Sequence, residues 1–312
     1  MKVFGPVPSR RLGQSIGINN VPFKHCTYSC VYCQLGRTNN MSIKRRKFYN
    51  PDEILKETEE KMIELKKSGK SVDYITFVCD GEPTLDINLG TEIKKLKKFG
   101  TKIAIITNAS LLSCDDVKDD LMYADWVSLK IDSVEENVWK KIDRPHGGLN
   151  LDMILEGIKD FSKNYKKTLV TETMLVSNVN DKHESIRKIG EYLFEIKPSS
   201  SYLLVPTKPP AEKWVAGLEM DKLIMASNTI YEESEVAVEC IYGEEGYDFY
   251  FGDDIEKSIL SIISVHPIRE EVLTKILNEK NQGKEVVKNL IKQEKINRFK
   301  YESHWFYVKN FK

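Results

Sequence analysis

Three cysteines crowd one stretch of the chain, Cys26-Thr-Tyr-Ser-Cys30-Val-Tyr-Cys33, separated by three and then two residues. Thiolates at such spacings on a loop can each take one iron of a single cubane cluster. A fourth iron then lacks a protein ligand, since no other cysteine lies nearby in the sequence. An open coordination position is where an external molecule binds and reacts, so the pattern reads as a catalytic [4Fe–4S] site with Cys26, Cys30 and Cys33 as ligands. Two other readings compete. With His25 the set could hold a tetrahedral zinc, although adjacent His25 and Cys26 fit the usual ligand spacing poorly. Two of the thiols could instead pair as a disulfide, which a reducing cytosol opposes.

A loop of this kind needs a scaffold. Residues 15–20 alternate enough to form a first strand that delivers the chain into the cysteine loop. After the basic patch 44–47, Asn50-Pro51-Asp52-Glu53 supplies an N-cap, a first-turn proline and early acids for a helix running to about Lys67, with Gly69 as its stop. Strands are then expected at 73–79, 102–107, 126–131, 168–176 and 201–205, with helices at 88–99, 151–163 and 182–196. Six strands alternating with helices imply parallel β-α-β units. The fold class is therefore α/β, an incomplete parallel (β/α)6 barrel, with an open doubly wound sheet as the alternative.

The 312 residues carry 47 basic and 47 acidic side chains, so no overall field argues for a polyanionic partner. Met1-Lys-Val-Phe-Gly-Pro lacks the apolar core of a signal peptide, and no run approaches the roughly 18 apolar residues of a membrane span. The expectation is a soluble, cytoplasmic protein without a membrane partner. Cys79, Cys114 and Cys240 read as buried small hydrophobes.

In parallel barrels the chemistry gathers at the C-terminal ends of strands. The second strand ends in Cys79-Asp80-Gly81-Glu82-Pro83, where glycine permits close backbone approach and a carboxylate can bind an ammonium group. The third ends at Asn108. In the fourth, period two puts Ser128, Lys130 and Asp132 on one face. The fifth carries Glu172 and runs into Val179-Asn180; Glu172 reads either as a substrate-side carboxylate or as an internal partner of Lys130.

The cysteine spacing, the aromatic Tyr32 before the last cysteine and a Gly-Glu motif one β-α unit later resemble the radical S-adenosylmethionine (SAM) enzymes. That resemblance implies an incomplete barrel. It also implies that SAM chelates the open iron and is cleaved reductively to a 5′-deoxyadenosyl radical, with the electron coming from a flavodoxin- or ferredoxin-type donor. By the same resemblance Gly81, Glu82 and Pro83 hold the methionine end of SAM, with Tyr32 and Asn108 beside it. Ser128, Lys130 and Asp132 then meet its ribose and carboxylate, and Lys130 and Glu172 are the candidate catalytic pair. Asp80 stands where the family often has a first glycine. Val179 and Asn180 match adenine-side positions of the molybdopterin-precursor cyclase branch. The segments 5–11 and 201–210 resemble the wyosine-base-forming tRNA enzymes, whose second cluster uses cysteines before the radical motif; no cysteine precedes Cys26 here.

Residues 1–241 are thus expected to form the barrel and its extension, 242–254 a linker, and 255–312 a small winged helix-turn-helix domain of three helices and a hairpin. From 284 to 312 there are eight basic residues against three acidic ones. That excess suits a phosphate backbone, and it suits a peptide-docking module almost as well. Phe299, Tyr301, Trp305 and Tyr307 read as core of this module. The substrate is expected to be tRNA or another RNA, alternatively a peptide or protein; a cluster-gated regulator is the reading from a different class.

Overall fold

The computed structural model describes every residue except 1, 243–248, 250, 252–253, 264–266, 281–282, 284, 302 and 311–312. In chain order its first elements are β1 (Val3–Ser9), β2 (Gly13–Ile18), the two-residue strands β3 (His25–Cys26) and β4 (Asn40–Met41), α1 (Pro51–Lys67), β5 (Tyr74–Phe77), α2 (Leu89–Leu96) and β6 (Lys102–Thr107). Then follow α3 (Asp115–Leu121), β7 (Trp126–Lys130), α4 (Glu136–Ile142), α5 (Leu151–Asn164), β8 (Thr168–Met174), α6 (His183–Ile196), β9 (Ser200–Leu204), α7 (Met220–Ser234) and β10 (Val238–Ile241).

One eight-stranded sheet runs in the order β1-β2-β5-β6-β7-β8-β9-β10. From β2 to β10 each neighbour is parallel, and each crossover carries at least one helix, the geometry parallel pairing demands. The six expected strands are all present, in register with one another. Two strands were not expected. β1 folds back antiparallel on β2 and forms one edge, while β10 adds a further parallel strand at the other.

The sheet has two buried faces. Outward-facing Ile75, Phe77, Ile103, Ile105, Val127 and Leu129 join the helices in the main core. Inward-facing Ala104, Trp126, Val170 and Tyr202 form a second cluster, into which the β1–β2 turn inserts Leu12 as a plug. The start of α1 follows its sequence signals: Asn50 accepts a hydrogen bond from the Asp52 N–H, Pro51 opens the first turn, and Gly69 follows the C-cap with φ +67°.

The basic patch is not a uniform solvated face. Arg45 turns inward, donating to the carbonyls of Thr84 (2.8 Å) and Asp86 (3.0 Å) and pairing with Asp116 and Asp120. It thereby ties the turn after β5 to α3. Beneath that turn lie Asp86 and Glu92, two buried carboxyls; burial pushes Asp86 up to about 6, while burial and the Asp86 charge push Glu92 up to about 9.

The C-terminal part contains α8 (Ile255–Ile263), β11 (Ile268–Arg269), α9 (Glu270–Glu279), α10 (Glu285–Lys292), β12 (Ile296–Tyr301) and β13 (His304–Lys309). Its strands pair antiparallel in the order β11-β13-β12 over a separate apolar core. Most of 243–253 lies outside the described residues, but Phe249 and Phe251, inside the stretch read as linker, pack into this core. The aromatic expectation is half corrected: Tyr307 is buried, whereas Phe299 and Trp305 are exposed, and the Arg298 guanidinium sits 3.9 Å from the Trp305 ring. In the ladder Phe299 pairs with Phe306 and Trp305 with Lys300, so the two exposed rings stand on opposite faces of the hairpin.

Among the described residues no helix is long and apolar enough to cross a membrane.

Candidate active site

The cysteine loop leaves the C-terminal end of β2 and is clamped at its base by the β3–β4 ladder, His25 opposite Asn40 and Cys26 opposite Met41. Its crest is held by the α4 C-terminus, where Ser29 N–H donates to Asp143 O (3.0 Å) and Val31 N–H to Ile142 O (2.9 Å). Below it, Thr27 Oγ1 accepts from Asn108 Nδ2 and Ser110 Oγ, each at 2.7 Å, and Asn108 Nδ2 also lies 3.6 Å from Cys26 Sγ. Asn108 therefore braces the first cysteine. At the far side Arg37 forks onto Glu212 (2.7 and 3.0 Å), which also pairs with Arg144, so the loop after β9 closes over the same segment.

The three thiols are half-buried and near enough to influence one another electrostatically. Burial pushes the Cys26 thiol up to about 12 and Cys30 well above its ordinary value, the latter also through Asp143. Such thiols stay protonated until a metal displaces the proton. Three cysteines gathered on a braced, partly accessible loop fit one iron apiece of a [4Fe–4S] cluster. His25, the fourth ligand in the zinc alternative, packs its ring edge-on against Phe48.

Gly81 and Glu82 meet the loop directly. Lys24 N–H donates to Asp80 O (2.8 Å) and Glu82 N–H to His25 O (2.9 Å), so the two segments run side by side. A Cβ at Gly81 would stand 1.8 Å from that His25 oxygen, which explains the glycine. The Glu82 carboxylate is almost wholly buried. Its Oε1 accepts from Thr84 N, Thr84 Oγ1 and Thr107 Oγ1, and its Oε2 from Asn108 N at 2.8 Å. A carboxylate offers about four lone-pair sites, two per oxygen, which leaves Oε2 room for one more donor. Pro83 opens a 3-10 turn, Pro83–Leu85. Asp80, in place of the family's glycine, trades hydrogen bonds with Asn19, keeps Oδ1 without a partner, and is pushed up to about 6 by burial.

On the inner face of β7, Ser128 Oγ donates to Glu172 Oε1 (2.7 Å) and the Lys130 ammonium lies 5.1 Å from the Tyr32 ring centroid. Burial alone would lower Lys130; Asp132 and then Glu172 more than offset it and hold it above its ordinary value. The Tyr32 hydroxyl donates to Asp132, and both stand against Asp143, which also accepts from Cys30 Sγ at 3.2 Å. Asp143 was not among the expected site residues. A lone aspartate closing a helix, 111 positions beyond the last loop tyrosine it faces, gives no spacing signal; burial, then Asp132, raises its carboxyl well above the usual range.

Glu172 takes Arg11, from the unexpected β1–β2 turn, as its ion-pair partner, with Lys130 a secondary neighbour. Asn180 is fully buried, and its side chain donates to Asp132 O and Met174 O and accepts from Val176 N, so it shapes the turn after β8. Val179 packs with Val31, Ile142, Val176 and Tyr32 at the rim. Cys240 is exposed on the edge strand, and Cys79 and Cys114 are half-buried.

Burial would raise Glu172, but Arg11, Lys130 and Ser128 hold it below its ordinary value. Its ionised form thus contributes stability above about pH 4.5, lost as pH falls through the depressed folded value. Arg11→Met is expected to cost about 3–5 kcal/mol at pH 7, because a buried carboxylate loses its main cation. Denaturant melts should show the deficit narrowing below about pH 4.5, and Glu172→Leu in the same chain should restore most of it.

Inside the barrel a cavity of about 200 Å³ is lined by Arg10, Arg11, Asp80, Gln34 and Lys208 among others, beneath the exit of the cysteine loop. A larger groove of about 670 Å³ between α1 and α8 touches none of these groups.

The family model for the radical SAM superfamily matches residues 20–189. A UPF0026 protein of Methanocaldococcus jannaschii is 45% identical over 99% of this chain and 96% of its own. Among solved structures, TYW1 with a lysine-pyruvate adduct bound superposes with TM-score 0.55 at 19% identity, covering 70% of this chain and 74% of that one. SuiB from Streptococcus suis bound to S-adenosylmethionine gives 0.53 at 14% identity, covering 76% of this chain and 51% of that one. At such identities the likeness is one of fold, a partial barrel. With its cysteine loop inside the matched segment, the chain belongs to the radical SAM superfamily, enzymes that bind a [4Fe–4S] cluster and S-adenosylmethionine.

Proposed function

We propose that this chain holds a [4Fe–4S] cluster on Cys26, Cys30 and Cys33, where SAM is cleaved reductively to a 5′-deoxyadenosyl radical that takes hydrogen from a substrate in the barrel. The observation that carries this reading is the convergence of the cysteine loop, the Gly81-Glu82 turn, Asn108 and the Tyr32–Asp132–Asp143 group at neighbouring strand ends. Glu82 Oε2 offers the acceptor for an ammonium group, and Lys130, charged at neutral pH, offers a donor to a carboxylate or hydroxyl. Glu172, neutralised by Arg11, keeps Ser128 and Lys130 oriented. The cavity of about 200 Å³ has room for a single small group, such as one base.

Residues 255–312 read as a winged-helix module on the barrel of 1–241. RNA is the first substrate reading, supported by the net basic stretch 284–312 and by exposed Trp305 under Arg298. A peptide is the second, favoured by the pairing of Lys288, Lys295 and Arg298 with Glu285, Glu256 and Glu270, which leaves fewer cations for phosphates. A flavodoxin- or ferredoxin-type donor in the cytoplasm completes the reading. As a member of an enzyme superfamily, the chain is not read as a cluster-gated regulator.

The test is anaerobic reconstitution with iron and sulfide, addition of SAM and dithionite, and chromatography for 5′-deoxyadenosine with and without bulk tRNA. Product that rises with tRNA is the expected result. A full cluster that yields no 5′-deoxyadenosine overturns the reaction, and product indifferent to tRNA moves the substrate to the peptide class.

A further inference from the structure

We propose that Lys24 raises the reduction potential of the cluster by donating a hydrogen bond to Cys33 Sγ, an inference that rests on Cys26, Cys30 and Cys33 being the cluster ligands. Lysine is almost never buried without a partner. Lys24 is 3% exposed, with its Nζ 3.3 Å from Cys33 Sγ and 2.5 Å from Gly36 O. Its backbone sits at φ +58°, a left-handed conformation that a side-chain-bearing residue avoids unless its surroundings impose it. Here they do. The Lys24 N–H is held by Asp80 O (2.8 Å) and its carbonyl by Asn40 N (3.3 Å), so the side chain is turned under the loop and away from water.

The three thiols do not share one environment. Cys30 faces the Asp143 carboxyl at 3.2 Å and Cys26 the neutral Asn108 amide at 3.6 Å, so Cys33 is the ligand with an ammonium donor. Hydrogen bonds to the sulfurs and burial are among the levers that set iron–sulfur potentials, and a charged donor bonds about twice as strongly as a neutral one. One electron from a low-potential iron–sulfur or flavin protein adds one negative charge to the site. Lys24 stabilises that charge through its N–H, while no bond at Lys24 forms or breaks and no proton moves.

The test is a potentiometric titration of the reconstituted full chain, followed by electron paramagnetic resonance, with iron and sulfide content measured on each sample. Lys24→Met keeps the length of the side chain and removes the donor. Its midpoint should fall, giving about a tenfold lower ratio of reduced to oxidised cluster at a fixed potential, about 59 mV for one electron. Lys24→Gln, a neutral donor, should shift the same way by less. A Lys24→Met midpoint equal to wild type at full cluster content overturns the inference. Failure of both variants to assemble a cluster also overturns it and makes Lys24 a strut of the loop. A wild-type chain that assembles no cluster defeats the ligand assignment itself.

Discussion

Cys30→Ala is expected to abolish 5′-deoxyadenosine formation, a loss of at least about a thousandfold, while leaving the metal-free fold nearly as stable as before. The two halves of that expectation have separate causes. Without metal the Cys30 thiol is neutral, because burial and the Asp143, Cys26 and Cys33 groups keep its proton on; it donates to Asp143 at 3.2 Å. Deleting a half-buried neutral thiol removes one modest hydrogen bond and a little packing, about 1 kcal/mol. Deleting a cluster ligand removes a covalent iron–sulfur bond for which no neighbouring side chain substitutes; the other cysteines, Cys79, Cys114 and Cys240, lie outside the loop. Iron content, visible absorption and product chromatography read the loss, and a denaturant melt of the metal-free protein reads the fold. Cys240→Ser, on the exposed edge strand, serves as the control and should retain full activity. If Cys30→Ala kept its cluster, the ligand set proposed here would be wrong. If it unfolded the metal-free protein, Cys30 would be a packing residue first.

How much of this was legible beforehand depended on whether a feature has a local signature. The strands β5 to β9 are apolar runs punctuated by helices of period 3.6, and the cysteine and Gly-Glu motifs declare themselves by spacing. β1 was hidden because Pro6 and Pro8 argue against a strand, yet prolines are tolerated on an edge, which is where it lies. Missing β1 meant missing the β1–β2 turn, and with it Leu12 as plug and Arg11 as the partner of Glu172; Lys130 was then the nearest cation in view. β10 was hidden by its brevity and by Glu239 and Cys240, both exposed. Asp143 and Lys24 illustrate the harder case. Each is a single ionisable residue whose prior is exposure, and only tertiary contacts, across 113 residues from Asp143 to Cys30 and across 9 from Lys24 to Cys33, bring it inward.

Gly81→Ala is expected to be the most damaging substitution outside the cysteines, costing about 3–5 kcal/mol and most of the cluster. The glycine does not have a positive φ, so its requirement is steric alone. A Cβ would meet the His25 carbonyl oxygen at 1.8 Å and its carbon at 2.8 Å, both backbone atoms that cannot rotate away. The backbone bonds on either side, Lys24 N to Asp80 O and Glu82 N to His25 O, hold these segments at that separation, so relief of the clash must break at least one of them. Overpacking of this kind costs about 1–3 kcal/mol or more, and each lost hydrogen bond about 0.5–1.5 kcal/mol. Displacement also carries Cys26 off its Asn108 brace and Glu82 off Thr84 and Thr107, so the iron site and the ammonium-binding turn fail together. Iron content should fall several-fold and SAM cleavage below detection. Gly147→Ala, where a Cβ meets nothing within 4 Å, should change neither stability nor cluster content. A Gly81→Ala protein with wild-type iron content and SAM cleavage would show that the cysteine loop can move away from the Gly-Glu turn without loss of either, and that the contact between them is incidental to the chemistry.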